Sequence, residues 1–151
     1  MEKLRVEKKN IYTIEVNDNG DTIEFDLADI IGLKFKLLKT LNEIDRIIDY
    51  AKKEEIIINK RQDVKGKYIS KNEEDILRMW NKTYKDMRNA MDMFLGKGAC
   101  QKIFGDRNYI TMFNDLMDEL KPHLDKIGIN VNSIAKDIEN KYSTTEKKVI
   151  E

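Results

Sequence analysis

Cys100 and His123 are the only cysteine and the only histidine of the chain. A cysteine nucleophile with a histidine base could therefore form only between these two residues. Cys100 lies in a short apolar segment where a small buried side chain packs well, and His123 directly follows Pro122 near a predicted helix end. Packing or solvent exposure explains both residues better than catalysis does, so we expect no catalytic residue and no enzyme activity.

Metal and phosphate sites are equally poorly supported. One cysteine and one histidine leave only carboxylates as further ligands, and the sequence has no HExxH, CxxC or aspartate-rich calcium loop. Gly96-Lys97-Gly98 could suggest a phosphate cradle, but it lacks the spacing of a P-loop and the Ser or Thr after its lysine. We therefore expect no metal and no cofactor, and we interpret these glycines as helix ends.

The charge balance bears on possible partners. Basic and acidic residues both number 28, so no net field attracts nucleic acid or an anionic membrane. No apolar stretch approaches the roughly 20 residues that cross a bilayer, and the N-terminal segment lacks the apolar run of a signal peptide. These features predict a cytoplasmic protein with no membrane or nucleic-acid partner. The basic cluster from Lys60 to Lys71 keeps a small regulatory nucleic-acid-binding module open as an alternative.

A β-hairpin is predicted over residues 11–27. Apolar residues that include Tyr12, Ile14 and Phe25 alternate with polar ones on either side of a turn ending in Asn19-Gly20. A two-stranded hairpin is only marginally stable alone, so helices or another chain must cover its apolar face. The hairpin is therefore one candidate assembly surface.

Helical periodicity dominates the rest of the sequence. Ser70 and Glu73 form a capping-box pattern at the start of one helix, and Gly96 is suited to end it. The β-branched run 56–58 is interpreted as non-helical, residues 59–70 as a mobile connector, and 129–151 as a weakly helical, frayed tail. The predicted helices cover about 29–55, 71–95, 98–104 and 109–127. The expected fold is α+β and mainly α, a single compact domain over 1–128 with the hairpin packed on four to five helices.

Several large side chains could form either core or a partner surface. Aromatic and methionine residues at helical spacing are usually core, although methionine also adapts to varied partners. Phe35 lies off the apolar stripe of its helix and could pack under the hairpin or meet a partner. With the hairpin residues Tyr12, Ile14 and Phe25, the candidate protein-binding residues are Phe35, Trp80, Tyr84, Met87, Met91 and Met93.

A family resemblance gives these patterns a function. The segment 99–105, ACQKIFG, followed by Tyr109, Phe113, Leu116, Leu120 and Pro122, resembles the C-terminal core of tail assembly chaperones from long-tailed phages and prophages of Gram-positive bacteria. The hairpin and the order of the helices also resemble that family, so the similarity extends over roughly residues 10–128.

The resemblance implies a non-enzymatic assembly factor in the cytoplasm of the bacterial host. Such a protein coats the tape measure protein, recruits tail-tube protein to it and self-associates into an open spiral. A tape measure protein is long, helical and apolar, so it needs many copies of a soluble protein with an apolar recognition face. Another phage tail or head-tail structural or adaptor protein is the alternative within the same setting.

Overall fold

The computed structural model describes residues 1–6 and 8–130. A two-stranded antiparallel hairpin packs against four helices, which confirms the predicted mainly helical fold. The predicted tail over 131–151 lies outside the described residues. The elements are β1 (Ile11–Glu15), β2 (Thr22–Asp26), a 3-10 turn (Leu27–Asp29), α1 (Ile30–Lys60), α2 (Lys71–Leu95), α3 (Ala99–Phe104) and α4 (Met112–Lys126).

The hairpin forms in the register that its alternating pattern requires. Tyr12 pairs with Phe25 and Ile14 pairs with Ile23, which places the apolar side chains on one face. The Asn17 side chain closes the turn by accepting hydrogen bonds from the backbone amides of residues 19 and 21. Ile23 and Phe25 are buried against the helices. The helices thus cover the face that a free hairpin would expose.

α1 is longer than predicted, because the β-branched run 56–58 continues the helix instead of ending it. Ile58 is buried, and the burial of such a side chain gains more free energy than the few tenths of a kcal/mol that β-branched residues lose in a helix. The prediction of a helix end near residue 55 was therefore wrong. With 31 residues α1 spans about 46 Å.

The connector is also shorter and better held than the predicted mobile segment 59–70. It covers residues 61–70, and hydrogen bonds tie both of its ends to the start of α2. Arg61 Nε donates to Asn72 Oδ1 at 2.8 Å, and the Lys71 amide donates to the Val64 carbonyl at 2.8 Å. Asp63 Oδ1 accepts from the Asn72 amide at 2.9 Å.

These hydrogen bonds affect the pKa of the Asp63 carboxyl, which can be measured. The Asn72 amide, then the Ser70 side chain, favour its ionised form and lower its pKa. Because the pKa of Asp63 is lower in the folded than in the unfolded chain, its carboxylate stabilises the fold at pH values above the unfolded pKa. This contribution is lost as the pH falls through the folded pKa. We expect the Asn72 amide resonance to titrate below the ordinary aspartate pKa of about 3.9. A titration midpoint at or above that value would contradict the hydrogen bond that Asp63 accepts from the start of α2.

The buried residues form two groups along the paired helices α1 and α2. The larger group, which we call the base, is made by the hairpin, α3, α4 and the adjoining parts of α1 and α2. Beyond it the two helices and their connector project as an arm, residues 51–80, in which Ala51, Ile58 and Trp80 are buried. The molecule therefore has a many-element base and a two-helix arm.

Within the base, one arginine of α2 holds the loop that joins α3 to α4. The Arg88 guanidinium donates to Asn108 Oδ1 at 2.8 Å, to the Gly105 carbonyl at 2.9 Å and to the Arg107 carbonyl.

α4 begins at Met112 instead of 109, because residues 109–111 form a turn, and it continues through Pro122. Ile129, assigned to the tail from sequence, is buried in the base.

Candidate protein-binding surface

Four of the candidate binding residues are part of the interior. Phe25, Met87 and Met91 are almost completely buried in the base, and Trp80 is buried in the arm. Their side chains hold the hairpin and α2 in place and are not accessible to a partner in this fold. The core interpretation of the aromatic and methionine stripe on α2 therefore applies to them.

Three further candidates are half-buried and already engaged within the chain. The Tyr12 hydroxyl is hydrogen-bonded to His123 Nδ1 at 2.8 Å, and the two rings meet edge to face. Ile14 lines a small cavity between the hairpin and α4. Tyr84 lies against the Trp80 ring, with a centroid separation of 6.1 Å. These side chains join elements of the fold.

The contact between Tyr12 and His123 gives a direct test of hairpin docking on α4. Replacing Tyr12 with Phe keeps the ring and removes one hydrogen bond, so we expect a loss of about 1 kcal/mol in the free energy of unfolding. Thr13→Val on the exposed face of the same strand is the control and should change stability by less than about 0.5 kcal/mol. Urea denaturation measures both values. Equal effects of the two substitutions would exclude this docking contact.

Phe35 and Met93 are the exposed candidates. Met93 borders a depression that Phe25, Leu33 and Lys36 also line. Phe35 does not pack under the hairpin, because 64% of its surface is accessible. Of the two alternatives that its sequence position allowed, exposure is the one observed.

Phe35 belongs to an apolar stripe on the outer face of α1. Ile31, Phe35 and Leu38 are 68%, 64% and 49% exposed. Their spacing of four and three residues makes them neighbours along one side of a helix. Of these three residues, only Phe35 was singled out from the sequence, although the spacing of all three is visible there. We call these three residues the α1 stripe.

An apolar groove continues from the α1 stripe towards the end of α4. Leu37, Leu38 and Leu41 of α1 line it together with Ile129, and its volume is about 380 Å³. Leu38 thus belongs to both the stripe and the groove. Lys34 borders the groove. Such a surface suits the apolar face of another helix.

The tip of the arm exposes a second surface with large apolar side chains. Val64, Tyr68 and Ile69 line a depression in the connector. The basic cluster predicted around it is partly neutralised, because Arg61 pairs with Asp75 and Lys71 pairs with Glu74 and Asp75. Paired charges contribute little to the field that draws a protein to phosphates.

Cys100 and His123 do not form a pair. Burial, followed by the nearby Asp92 carboxylate, raises the pKa of the Cys100 thiol, which disfavours a reactive thiolate. Its Sγ contacts the Arg88 carbonyl at 3.6 Å, whereas the partner of His123 is Tyr12. Within residues 1–6 and 8–130 no hydrogen bond joins these two side chains.

The other chemical candidates have structural roles. Gly96 ends α2 and Gly98 begins α3, both with positive φ angles that favour glycine. Over the described part of the chain, no group of three or more His, Cys, Asp or Glu side chains is placed to hold a metal ion. Within the same range, no helix combines the length and apolar character that a membrane crossing requires.

Comparisons of the chain with family models, with proteins of curated function and with solved structures gave no match.

Proposed function

We propose that this protein is a non-enzymatic phage tail assembly chaperone in the cytoplasm of the bacterial host. It binds the tape measure protein, helps to recruit tail-tube protein and associates with further copies of itself. The proposal joins the family resemblance of residues 10–128 to the surface of the folded chain.

The α1 stripe is the observation that carries this proposal. Ile31, Phe35 and Leu38 stand exposed on a rigid helix, and the groove beside Leu38 extends the apolar surface. Large apolar side chains arranged in a row are suited to the apolar face of another helix. A tape measure protein offers such faces along much of its length.

The energetics favour many copies over one tight contact. Full burial of a large apolar side chain gains about 1.5–3 kcal/mol, so three such side chains supply several kcal/mol before the cost of association. One stripe therefore gives modest affinity. Copies that contact both the tape measure protein and each other gain effective concentration, and the coated chain is held more firmly than any single contact implies.

Co-expression tests this function. The tape measure and tail-tube proteins are taken from the genome that encodes this chain, and the tagged protein is purified from cells that also make the tape measure protein. We expect the two proteins to purify together through high-salt washes, because apolar contacts are little screened. A tape measure protein that never purifies with it would refute the proposal. Presence of this chain in finished virions would instead favour a structural tail or head-tail protein.

A further inference from the structure

The outer edge of β1 leaves backbone hydrogen-bonding groups open. The Leu27 amide donates to the Asn10 carbonyl at 2.8 Å, and the Val16 amide donates to the Asp21 carbonyl at 2.9 Å. Asn10 and Val16 therefore face β2. Because backbone groups alternate in direction along an antiparallel strand, those of residues 11, 13 and 15 face away from β2. Among the described residues none of these outward groups has a hydrogen-bond partner, and we call them the β1 edge.

The opposite edge of the sheet is less accessible. β2 packs next to α1 and α2, and the Lys102 ammonium of α3 donates to the Thr22 carbonyl at 3.2 Å. β1 itself contains neither proline nor lysine, the residues that commonly protect an exposed edge. The β1 edge is therefore the one that a strand of another chain can extend.

A second copy of β1 matches this edge along its whole length. With a twofold axis beside Thr13, two antiparallel copies place Thr13 opposite Thr13 and Ile11 opposite Glu15, so all five residues of β1 are paired. Tyr12 then lies opposite Ile14, and both stay on the side of the sheet that faces the helices. The apolar face of the hairpin thereby continues from one copy to the other.

The charges around the strand are complementary in this register. Lys8 of one copy lies opposite Asp18 of the other, and Lys9 is the diagonal neighbour of Glu15 on the exposed face. All four residues are exposed, and the twofold axis makes each contact twice. An axis at Glu15 would instead place two carboxylates opposite each other and leave part of β1 unpaired. Charge therefore favours the register centred on Thr13.

We infer that two copies of this protein pair through the β1 edge and form one four-stranded antiparallel sheet. The inference rests on the proposed function in one respect, because it names the surface for the self-association included there. A twofold contact uses the same surface on both copies and closes at a dimer. Each dimer carries two α1 stripes, and two linked binding surfaces hold a long partner more firmly than one.

Disulfide trapping in the full chain tests this pairing. In the proposed sheet the Cα atoms of the two Thr13 residues are about 5.5 Å apart, a distance that a disulfide spans. Thr13→Cys should therefore form a covalent dimer under mild oxidation. The native Cys100 remains, because its buried thiol with a raised pKa reacts slowly. Roughly 0.1 mM protein at low salt suits the test, because a contact made by one strand is small and therefore weak.

Glu24→Cys is the matched control. Glu24 pairs with Thr13 inside the hairpin and is exposed on the same face. In the four-stranded sheet the two Glu24 residues lie on the outer strands, three strand spacings or about 14 Å apart. We expect the Thr13→Cys variant to dimerise at least tenfold faster than the Glu24→Cys variant. Equal rates would show random collision and overturn the inference.

Charge reversal tests the register. In the Thr13→Cys background, Lys9→Glu or Glu15→Lys alone should slow dimer formation at least threefold, because each places like charges together twice. A mixture of the two variants should restore the rate, since every contact between the two different copies then joins opposite charges. Single variants that dimerise at the original rate, or a mixture that stays slow, would overturn the proposed pairing.

The two proposals fail separately. The trapping experiment contains no tape measure protein, so its failure removes the β1 dimer and leaves the tape measure contact standing. Successful trapping without co-purification of the tape measure protein refutes the chaperone function and leaves the dimer.

Discussion

Replacing Trp80 with aspartate is expected to melt the arm and leave the base folded. Trp80 is buried in the arm, and an aspartate there would place a charge where it is largely shielded from water. Together with the lost contacts, this should cost the arm at least about 3 kcal/mol. The base has its own larger group of buried residues, which does not include Trp80. Unfolding should therefore remain local.

Amide hydrogen exchange separates the possible outcomes. Exchange should accelerate at least a hundredfold over 51–60 and 71–80, while α3, α4 and the hairpin keep their protection. A loss of about 3 kcal/mol in the stability of the arm corresponds to roughly this factor in the exchange rate.

Trp80→Phe is the matched control. It keeps an aromatic ring and removes an indole N–H that is buried without a hydrogen-bond acceptor among the described residues, so its net effect should stay within about 1 kcal/mol. Uniform acceleration in the Asp variant would contradict a separable arm.

The second large effect concerns binding instead of stability. Phe35→Lys places a charge at the centre of the α1 stripe, where it would be desolvated in a complex. We expect affinity for the tape measure protein to fall by at least about 2 kcal/mol, or roughly thirtyfold in Kd. Because Phe35 is exposed, the stability of the free protein should change by less than about 0.5 kcal/mol.

Leu77→Lys is the control for this substitution. Leu77 is 63% exposed, close to the 64% of Phe35, but it lies on α2 in the arm. The two variants add the same charge and remove a similarly exposed apolar side chain. If both weaken binding equally, the added charge and not the α1 stripe is responsible.

Much of the fold is predictable because its signals are local. The Ser70 hydroxyl accepts from the Glu73 amide at 3.2 Å, and Gly96 ends α2, so that helix begins and ends where its capping residues indicate. The end of α1 was missed because its cause is distant. Residues 56–58 are helical because Ile58 is buried in the arm. That burial cannot be inferred from the neighbouring residues in the sequence.

The binding surface was harder to predict for a related reason. Periodicity shows which side chains share a face but not whether another element covers that face. Met87 and Met91 have a pattern that fits either core or a partner surface, and they are interior, whereas Leu38 also lies at helical spacing from Leu41 and is exposed. Phe35 stood out only because it lay off the main stripe of α1. Only the packing of the hairpin, α3 and α4 decides which apolar face remains open.

The solubility of the tape measure protein tests the central claim most directly. The tape measure protein is expressed alone, with this protein, or with its Phe35→Lys variant, and the soluble and pelleted fractions are quantified. If the α1 stripe covers apolar helix faces, the protein alone should pellet, the wild-type chain should keep most of it in solution, and Phe35→Lys should largely fail to do so. If the soluble share of the tape measure protein is the same with and without the wild-type chain, the account is contradicted.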